Sequence, residues 1–237
     1  MTRRRWIADE VSGNTAALTG PHAEHLAVVL RAQPGHRYDV AAGGVLRAAR
    51  VVSVSPSRVE FELEEELSAP SLPDLTLLLA IFKFDRMEWA IEKCVELGIS
   101  RVVPIVARRT DAHLGRAAEA RVDRWRRLAL QASEQARRLV PAAVETPEKV
   151  KLAAARSAST RIVLAENERG LSLKDALETH PSRGTVLLAV GPEGGWAEEE
   201  LRQFEEAGWT PASLGQTILR SETAAIAATA IAFAELA

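Results

Sequence analysis

Residues 185–196, Thr-Val-Leu-Leu-Ala-Val-Gly-Pro-Glu-Gly-Gly-Trp, decide the fold class of this chain. The first six form a short apolar run, typical of a strand buried on both faces of a parallel sheet. The glycine-rich loop Gly191–Gly195 follows, and residues 198–207 after it have the pattern of a helix. Ligands of parallel α/β proteins collect at the carboxyl ends of strands, where glycine lets the backbone approach them closely. The stretch therefore predicts a strand, a loop and a helix, and the loop is either a binding loop or an ordinary turn.

The same alternation of strand and helix extends through residues 74–237. The predicted strands are Leu75–Phe82, Val102–Val106, Arg161–Ala165, Thr185–Val190 and 211–214, and the predicted helices are Asp85–Leu97, Ala117–Leu139, Leu173–Thr179, 198–207 and Glu222–Leu236. Asp85 is expected to cap the first of these helices, with Glu88 at the reciprocal position of a capping box. This rhythm predicts a domain built on a parallel α/β sheet.

Residues 1–70 have a different pattern. Arg47–Val54 and Arg58–Leu63 are rich in β-branched residues, and the second alternates strictly between apolar and polar side chains. His22–Arg31 is the one stretch with a helical pattern. Short strands separated by turns predict a small β-barrel, followed by a proline-flanked linker at 68–73.

The composition excludes several classes of protein. With 237 residues, 47% of them hydrophobic, the chain can bury a core. Its single cysteine, Cys94, rules out an intrachain disulfide and a cysteine-based zinc site, and its place on an apolar helix face favours a buried side chain over a nucleophile. No apolar run reaches the length of a membrane span, and the first residues lack the pattern of a signal peptide. We expect a cytoplasmic protein with no metal and no membrane partner.

The net charge of −2 conceals a strong segregation. Residues 101–140 carry ten Lys and Arg and four Asp and Glu, a local net of +6, whereas residues 141–237 carry nine and fourteen, a net of −5. All ten cations of the basic region are arginine, the side chain that best binds phosphate oxygens in pairs. The region favours an RNA- or phosphate-facing surface over an ordinary solvated face.

A second motif lies at residues 214–224, where a glycine loop enters a very apolar helix. Helix capping accounts for Ser221, Glu222 and Thr223, but not for Arg220, because a cation at a helix N-terminus is electrostatically unfavourable. Arg220 therefore indicates a partner, either an acidic side chain or a ligand anion. The Gly191–Gly195 motif fits neither the dinucleotide-binding pattern nor the P-loop.

Together these motifs resemble the ribosomal RNA small-subunit methyltransferase E family of the SPOUT superfamily. The matching residues are His25, Val29–Arg31, Gly35, Lys83–Glu88, Glu92, Lys93, Glu96–Gly98, Arg124, Trp125, Glu134, Gln135, Arg138, Gly191–Gly195, Leu214, Gly215, Ile218–Arg220 and Glu222–Ala224. The chain departs from the family pattern at Phe84, where glycine is common, and at Ala197, where Ser, Thr or Asp commonly begins the helix. The ordered set spans nearly the whole chain.

The resemblance implies a PUA-like RNA-binding β-barrel over residues 1–70 and a SPOUT methyltransferase domain over 74–237. A C-terminal trefoil knot and the cofactor site would fall in about 185–237. The implied homodimer transfers a methyl group from S-adenosyl-L-methionine to N3 of one uridine, conventionally numbered 1498, in the 16S rRNA of the small ribosomal subunit. Two alternatives stay open: a SPOUT enzyme with another rRNA or tRNA target (ribose 2′-hydroxyl or another base), and a non-catalytic RNA-binding ribosome-assembly factor.

The resemblance also assigns roles to single residues. The implied cofactor contacts are Leu188, Gly191, Pro192, Glu193, Gly194, Gly195, Leu214, Gly215, Ile218, Leu219, Arg220, Thr223 and Ala224. The implied catalytic residues are Arg138, Arg220, Lys83 and Glu222, with Arg138 reaching a site in the partner subunit and Glu222 or Glu193 accepting the N3 proton. The implied RNA contacts are Arg3, Arg5, His25, Arg31, Arg108, Arg109, Arg124, Arg127 and Arg138.

Overall fold

The computed structural model describes residues 5–69, 72–179 and 184–236. Contacts divide the chain into two compact units. One comprises residues 1–71 and 133–141, and the other comprises residues 72–132 and 142–237. The first unit thus includes a segment, 133–141, that the sequence pattern places with the second.

Among the described residues, the first unit forms a six-stranded sheet in the order β1-β4-β5-β6-β3-β2. Its strands are β1 Arg5–Ile7, β2 Glu10–Ser12, β3 Thr15–Thr19, β4 Arg37–Ala42, β5 Val45–Ser55 and β6 Arg58–Glu66. Neighbours pair antiparallel except β1 with β4, and two register shifts interrupt the β5–β6 ladder. The alternation predicted for β6 holds, since Val59, Phe61 and Leu63 are buried in the core of this unit.

The predicted helix His22–Arg31 begins and ends two residues earlier than expected, and it changes its winding. Helix α1, Gly20–Glu24, continues into one π-helical turn at His25–Val29. His22 lies between two carboxylates of the same unit, with Nε2 2.8 Å from Glu134 and Nδ1 3.1 Å from Asp9. The hydrogen bond to Glu134 is the main cause that raises the pKa of His22 to about 9. The charged imidazole therefore stabilises this unit fully below about pH 6.5, and the contribution is lost as the pH rises through 9.

The second unit contains, within its described part, a seven-stranded sheet whose pairs are all parallel. Its strands are β7 Leu75–Ala80, β8 Arg101–Val106, β9 Ala143–Val144, β10 Glu148–Lys149, β11 Thr160–Leu164, β12 Val186–Val190 and β13 Thr210–Ala212. The order is β10-β8-β7-β12-β11-β13, with β9 beside β8. β7 and β12 are buried along their whole length, as their apolar sequences predict. The prediction of a parallel α/β sheet is confirmed.

Helices cover both faces of this sheet. Their bounds are α2 Phe84–Leu97, α3 Ala112–Ala117, α4 Val122–Gln135, α5 Val150–Ala154, α6 Leu173–Glu178, α7 Glu198–Glu206 and α8 Ser221–Leu236. The single long helix predicted over 117–139 is wrong. A 3₁₀ turn at Glu119–Arg121 separates α3 from α4, and a left-handed backbone at Arg137, φ 55°, follows the end of α4. A residue in this conformation ends a helix as a C-terminal glycine would.

The capping predicted for α2 is also wrong. Lys83 occupies the N-cap position with no side-chain cap, and Asp85 lies in the first helical turn. Glu88 instead accepts a hydrogen bond from Arg124 Nε at 2.7 Å. The apolar face of α2 that carries Cys94 is buried, as predicted. Burial raises the pKa of the Cys94 thiol to about 12, so this thiol stays protonated.

Phe84, where the family commonly has glycine, has a packing role. Its ring contacts the buried ring of Trp125 edge-on at a centroid distance of 5.9 Å. The guanidinium of Arg121 lies over the Phe84 ring, 4.9 Å from the ring centre. Phe84 therefore fills space between α2 and α4.

No helix in the described parts of the chain is long and apolar enough to cross a membrane.

Phe84→Ala is expected to lower the free energy of unfolding by about 1–3 kcal/mol, because the ring leaves a gap beside Trp125 and Arg121. Trp89→Ala is the matched control on the same helix. Trp89 is 49% exposed, so its loss should cost less than about 1 kcal/mol. Urea unfolding followed by circular dichroism gives both values, and equal losses would contradict the packing role of Phe84.

Candidate functional site

A cavity of about 410 Å³ opens at the carboxyl edge of the second unit's sheet. Its wall consists of the ends of three neighbouring strands, β11, β12 and β13, and the segments that follow them, together with Arg109 after β8. The lining residues are Arg109, Leu164–Asn167, Arg169, Val190–Pro192, Gly195, Trp196, Glu198, Leu201, Ala212–Leu219, Ser221 and Ala224. Parallel strands that lie side by side deliver their following loops to one edge, which is where ligands of such folds bind.

Trp196 joins the first two of these segments. Its indole Nε1 donates a 3.1 Å hydrogen bond to the carbonyl of Leu164, the last residue of β11. The ring lies against Gly191, where a β-carbon would come within 3.2 Å of Nε1. Glycine at 191 therefore allows the ring to pack beneath the loop.

Gly195 gives the loop its turn. Its φ of 69° favours glycine, and its N–H donates to the Pro192 carbonyl at 2.8 Å. Arg109 fixes the neighbouring peptide, since Nη1 donates to the Gly194 carbonyl at 2.7 Å. The carboxylate of Glu166 lies close by, 3.6 Å from where a β-carbon on Gly195 would stand. The loop is thus held by contacts from two other segments.

Glu200 supplies the cap that Ala197 lacks at the start of α7. Its Oε2 accepts the Ala197 N–H at 2.9 Å, and its Oε1 accepts the Arg108 N–H at 2.7 Å. The carboxylate is buried, so both bonds are shielded from water. Among the three glutamates in the first turn of α7, Glu200 is thus the one that makes up for the missing cap at Ala197.

The third segment, 213–219, is the most open part of the wall. Gly215 has a φ of 116° and Ile218 is 80% exposed. Leu214 and Leu219 are partly buried beside them. Apolar side chains of this segment and the carboxylates of Glu166 and Glu198 therefore line the same cavity.

Eight of the thirteen residues predicted to contact a cofactor lie on the cavity wall: Gly191, Pro192, Gly195, Leu214, Gly215, Ile218, Leu219 and Ala224. The other five, Leu188, Glu193, Gly194, Arg220 and Thr223, lie off it. Leu188 is in the buried middle of β12, and Glu193 forms an ion pair with Arg86.

Sequence reasoning missed the residues that follow β11. Glu166, Asn167 and Arg169 line the cavity, although no glycine motif marks them. Their only signal is position, just after a predicted buried strand. Arg109, predicted to contact RNA, also lines the cavity and is bound to Gly194.

The predicted catalytic residues lie in different surroundings. Arg220 is exposed immediately before α8, with no acidic partner among the described residues, and Lys83 is exposed before α2. Glu222 is 6% exposed in the first turn of α8, and its Oε1 lies 3.7 Å from Arg86 Nε. Arg138 belongs to the first compact unit and is partly buried, which lowers the pKa of its guanidinium below the ordinary value.

Some of the residues predicted to contact RNA are bound to other groups of the protein, and others are exposed. In the first unit, Arg5 donates to the Arg137 carbonyl, His25 is exposed beside Trp6, and Arg31 is exposed with a φ of 52°. In the second, Arg108 pairs with Glu199, Arg124 pairs with Glu88, and Arg127 is exposed with no partner in the part of the chain that the structure describes. Arg3 lies outside the described residues. Within the described ranges no three His, Cys, Asp or Glu side chains form a group that could hold a metal ion.

Comparisons with known proteins place these features in context. A family model for an RNA methyltransferase domain matches residues 70–233. The chain is 33% identical to the ribosomal RNA small subunit methyltransferase E of Mycobacterium bovis, with 92% of this chain and 85% of that one covered. It is 29% identical to the Bacillus subtilis protein of the same name, with 89% and 86% covered.

This chain is also similar to a solved structure. The crystal structure of the ribosomal RNA small subunit methyltransferase E of Neisseria gonorrhoeae, bound to S-adenosyl methionine, superposes with a TM-score of 0.82. The two chains are 31% identical, and the match covers 96% of this chain and 95% of that one.

Glu200→Ala should destabilise the protein by about 2 kcal/mol, because it leaves two N–H groups without their acceptor at the start of α7. Glu199→Ala is the control. That side chain is 58% exposed and its ion pair is with exposed Arg108, so its removal should cost no more than about 0.5 kcal/mol. Chemical unfolding of both variants decides, and a Glu200 variant as stable as the control would show that the cap is unimportant.

Proposed function

This chain belongs to the ribosomal RNA small subunit methyltransferase E family, and we propose that it methylates N3 of the uridine conventionally numbered 1498 in the 16S rRNA of the small ribosomal subunit. The methyl donor is S-adenosyl-L-methionine. The observation that carries the proposal is the cavity. Its wall contains both glycine motifs of the family pattern, in a fold that superposes on a relative bound to this cofactor.

The residues present fit that cofactor. A volume of about 410 Å³ suits a ligand of its size. The apolar side chains Leu214, Ile218 and Leu219 suit an adenine ring, and the carboxylates of Glu166 and Glu198 suit hydroxyl and ammonium groups. When bound, the cofactor supplies a methyl group already activated on a sulfonium.

The protein's own contribution is orientation and electrostatics. The loop around Gly195 would hold the donor, and the position of the base relative to it would account for most of the acceleration. Loss of the N3 proton leaves negative charge on the uracil carbonyls, which a nearby guanidinium stabilises. Arg220 suits this role because it is exposed beside the cavity-lining residues Leu219 and Ser221, and Lys83 is the next choice. Glu222 is the proposed proton acceptor, with Glu193 as the alternative.

The same family pattern supports the rest of the proposal. The first unit would be a PUA-like RNA-binding barrel, and residues 185–237 would form a trefoil knot of the SPOUT type. The protein would act in the cytoplasm as a homodimer, with Arg138 completing the site of the partner subunit.

One experiment tests the proposed reaction. Purified protein is incubated with labelled cofactor and small ribosomal subunits, and the product nucleotide is located by mass spectrometry. Methylation at N3 of the stated uridine supports the proposal. Label on a ribose 2′-hydroxyl, on another base or on tRNA would identify a different enzyme, and no label together with no cofactor binding would identify an RNA-binding assembly factor.

Gly195→Val is expected to abolish cofactor binding while the protein stays folded, because the side chain would strain the backbone at φ 69° and intrude beside Glu166. Gly13→Val is the matched control, with a φ of 56° and open space around it in the other unit. Calorimetric titration with the cofactor measures both. Normal binding by the Gly195 variant would refute the assignment of this loop.

Mixing Arg138→Ala with Gly195→Val tests the shared site. Each protein alone should be inactive, and the mixture should regain about a quarter of the wild-type activity, because random exchange of subunits gives half heterodimers, each with one intact site. Light scattering establishes the dimer independently. A mixture that stays inactive although subunits exchange would contradict a cross-subunit role for Arg138.

Arg127→Ala is expected to weaken RNA binding and to reduce the slope of log affinity against log salt by about 0.7–0.9, the loss of one phosphate contact. Arg202→Ala, an exposed arginine of the acidic half, is the control and should leave the slope unchanged. Filter binding across a salt series gives the slopes. Identical slopes for wild type and the Arg127 variant would remove this residue from the RNA surface.

A further inference from the structure

Arg86 connects two parts of the second unit that flank the cavity. Its Nη1 donates to Glu193 Oε1 at 2.9 Å, in the glycine loop after β12. Its Nε lies 3.7 Å from Glu222 Oε1, in the first turn of α8. None of these three residues lines the cavity, but Pro192, Gly195, Ser221 and Ala224 beside them do. One guanidinium therefore joins both sides of the wall.

The burial of Glu222 makes this guanidinium important. Its carboxylate is 6% exposed, and Oε2 is buried without a hydrogen-bond partner among the described residues. A buried carboxylate needs a nearby cation, since an uncompensated charge in the interior is strongly unfavourable. Arg86 is the cation within ion-pair distance in the described structure. The contact with Glu222 therefore fixes the position of the Arg86 side chain. Arg86 in turn fixes the position of Glu193.

We propose that Arg86 is a positioning residue for cofactor binding, which clamps the Gly191–Gly195 loop to the start of α8 through Glu193 and Glu222. The proposal rests on the assignment of the cavity to S-adenosyl-L-methionine. Arg109 holds this loop at Gly194 and Trp196 anchors the residue after it, whereas Arg86 holds it at Glu193. Without the clamp, the Glu193 part of the loop samples conformations that do not bind. Affinity then falls in proportion to the population of the binding conformation.

The clamp has a loop arm, the contact of Arg86 with Glu193, and a buried arm, the contact of Arg86 with Glu222. The loop arm can be removed without the buried arm. Glu193→Gln removes the charge that faces Arg86 and leaves the Arg86–Glu222 pair in place. Arg86→Gln removes both arms, and Arg86→Lys keeps a cation but not the planar fork that reaches both carboxylates. Arg101→Gln is the matched control, because Arg101 forms a comparable ion pair with Glu145 at 2.8 Å at the opposite, amino-terminal end of its strand.

Calorimetry with S-adenosyl-L-methionine alone, without RNA, is the main measurement. We expect Glu193→Gln to weaken binding about three- to tenfold, Arg86→Gln to weaken it at least as much, and Arg86→Lys to fall between Arg86→Gln and wild type. The double variant Arg86→Gln with Glu193→Gln should bind no more weakly than Arg86→Gln alone. Arg101→Gln should bind as wild type does.

A merely structural ion pair would give other results. Wild-type affinity in Glu193→Gln, or losses that multiply in the double variant, would overturn the proposal. Should Arg86→Gln fail to fold, the comparison of Glu193→Gln with Arg101→Gln still decides. Because RNA is absent, a wrong RNA target leaves this result intact, whereas a wild-type protein that binds no cofactor would refute the cavity assignment itself.

Steady-state kinetics adds a second readout. A clamp that acts on cofactor binding raises the KM for S-adenosyl-L-methionine, whether or not kcat also falls through the contact of Arg86 with Glu222. A fall in kcat at unchanged KM would show that Arg86 acts in the chemical step instead, which contradicts the proposed role.

Discussion

The pairing of β12 with β7 on one side and β11 on the other is the interaction on which the site depends. All five residues of β12 are buried, so their backbone groups must be satisfied by the neighbouring strands. This requirement fixes β12 inside the sheet. It also delivers the loops after β11, β12 and β13 to a single edge, where together they enclose the cavity.

These loops form one wall because a few hydrogen bonds join them. Trp196 donates to Leu164, Arg109 donates to Gly194, and Glu200 accepts from both Ala197 and Arg108. Three of these four bonds connect segments far apart in sequence, and the bond from Ala197 to Glu200 lies within the start of α7. A binding surface ordered before the ligand arrives avoids the entropic cost of ordering it on binding. Such preorganisation suits an enzyme whose main task is to hold a donor and an acceptor in line.

The structure also shows how many arginines of the basic region, residues 101–140, are paired with carboxylates. Several arginines of the basic region are engaged within the protein, among them Arg101, Arg108, Arg124 and Arg126, each with a carboxylate. Exposed ion pairs contribute little to stability and can be exchanged for phosphate contacts at small cost. The local excess of positive charge therefore supports an RNA-facing surface, but the count alone overstates the number of free cations.

Local sequence determined the elements whose signals are local. The apolar run before Gly191, the glycines after it and the periodic face of Met87, Ile91 and Cys94 gave the strand, the loop and α2, because burial follows from hydrophobic periodicity over a few residues. The family resemblance added an ordered set of motifs and with it the chemistry. The end of α4 was not predicted, because no glycine or proline marks the left-handed backbone at Arg137.

Only the tertiary structure decided which distant segments meet. Glu166 and Arg109 join the wall beside Gly195, and Arg86 meets Glu193, 107 residues along the chain. Sequence alone could not supply these contacts, because the order of strands in a sheet is set by the packing of complete faces and not by spacing along the chain. The sequence determined what each segment is, and the packing of the sheet decided which side chains share the site.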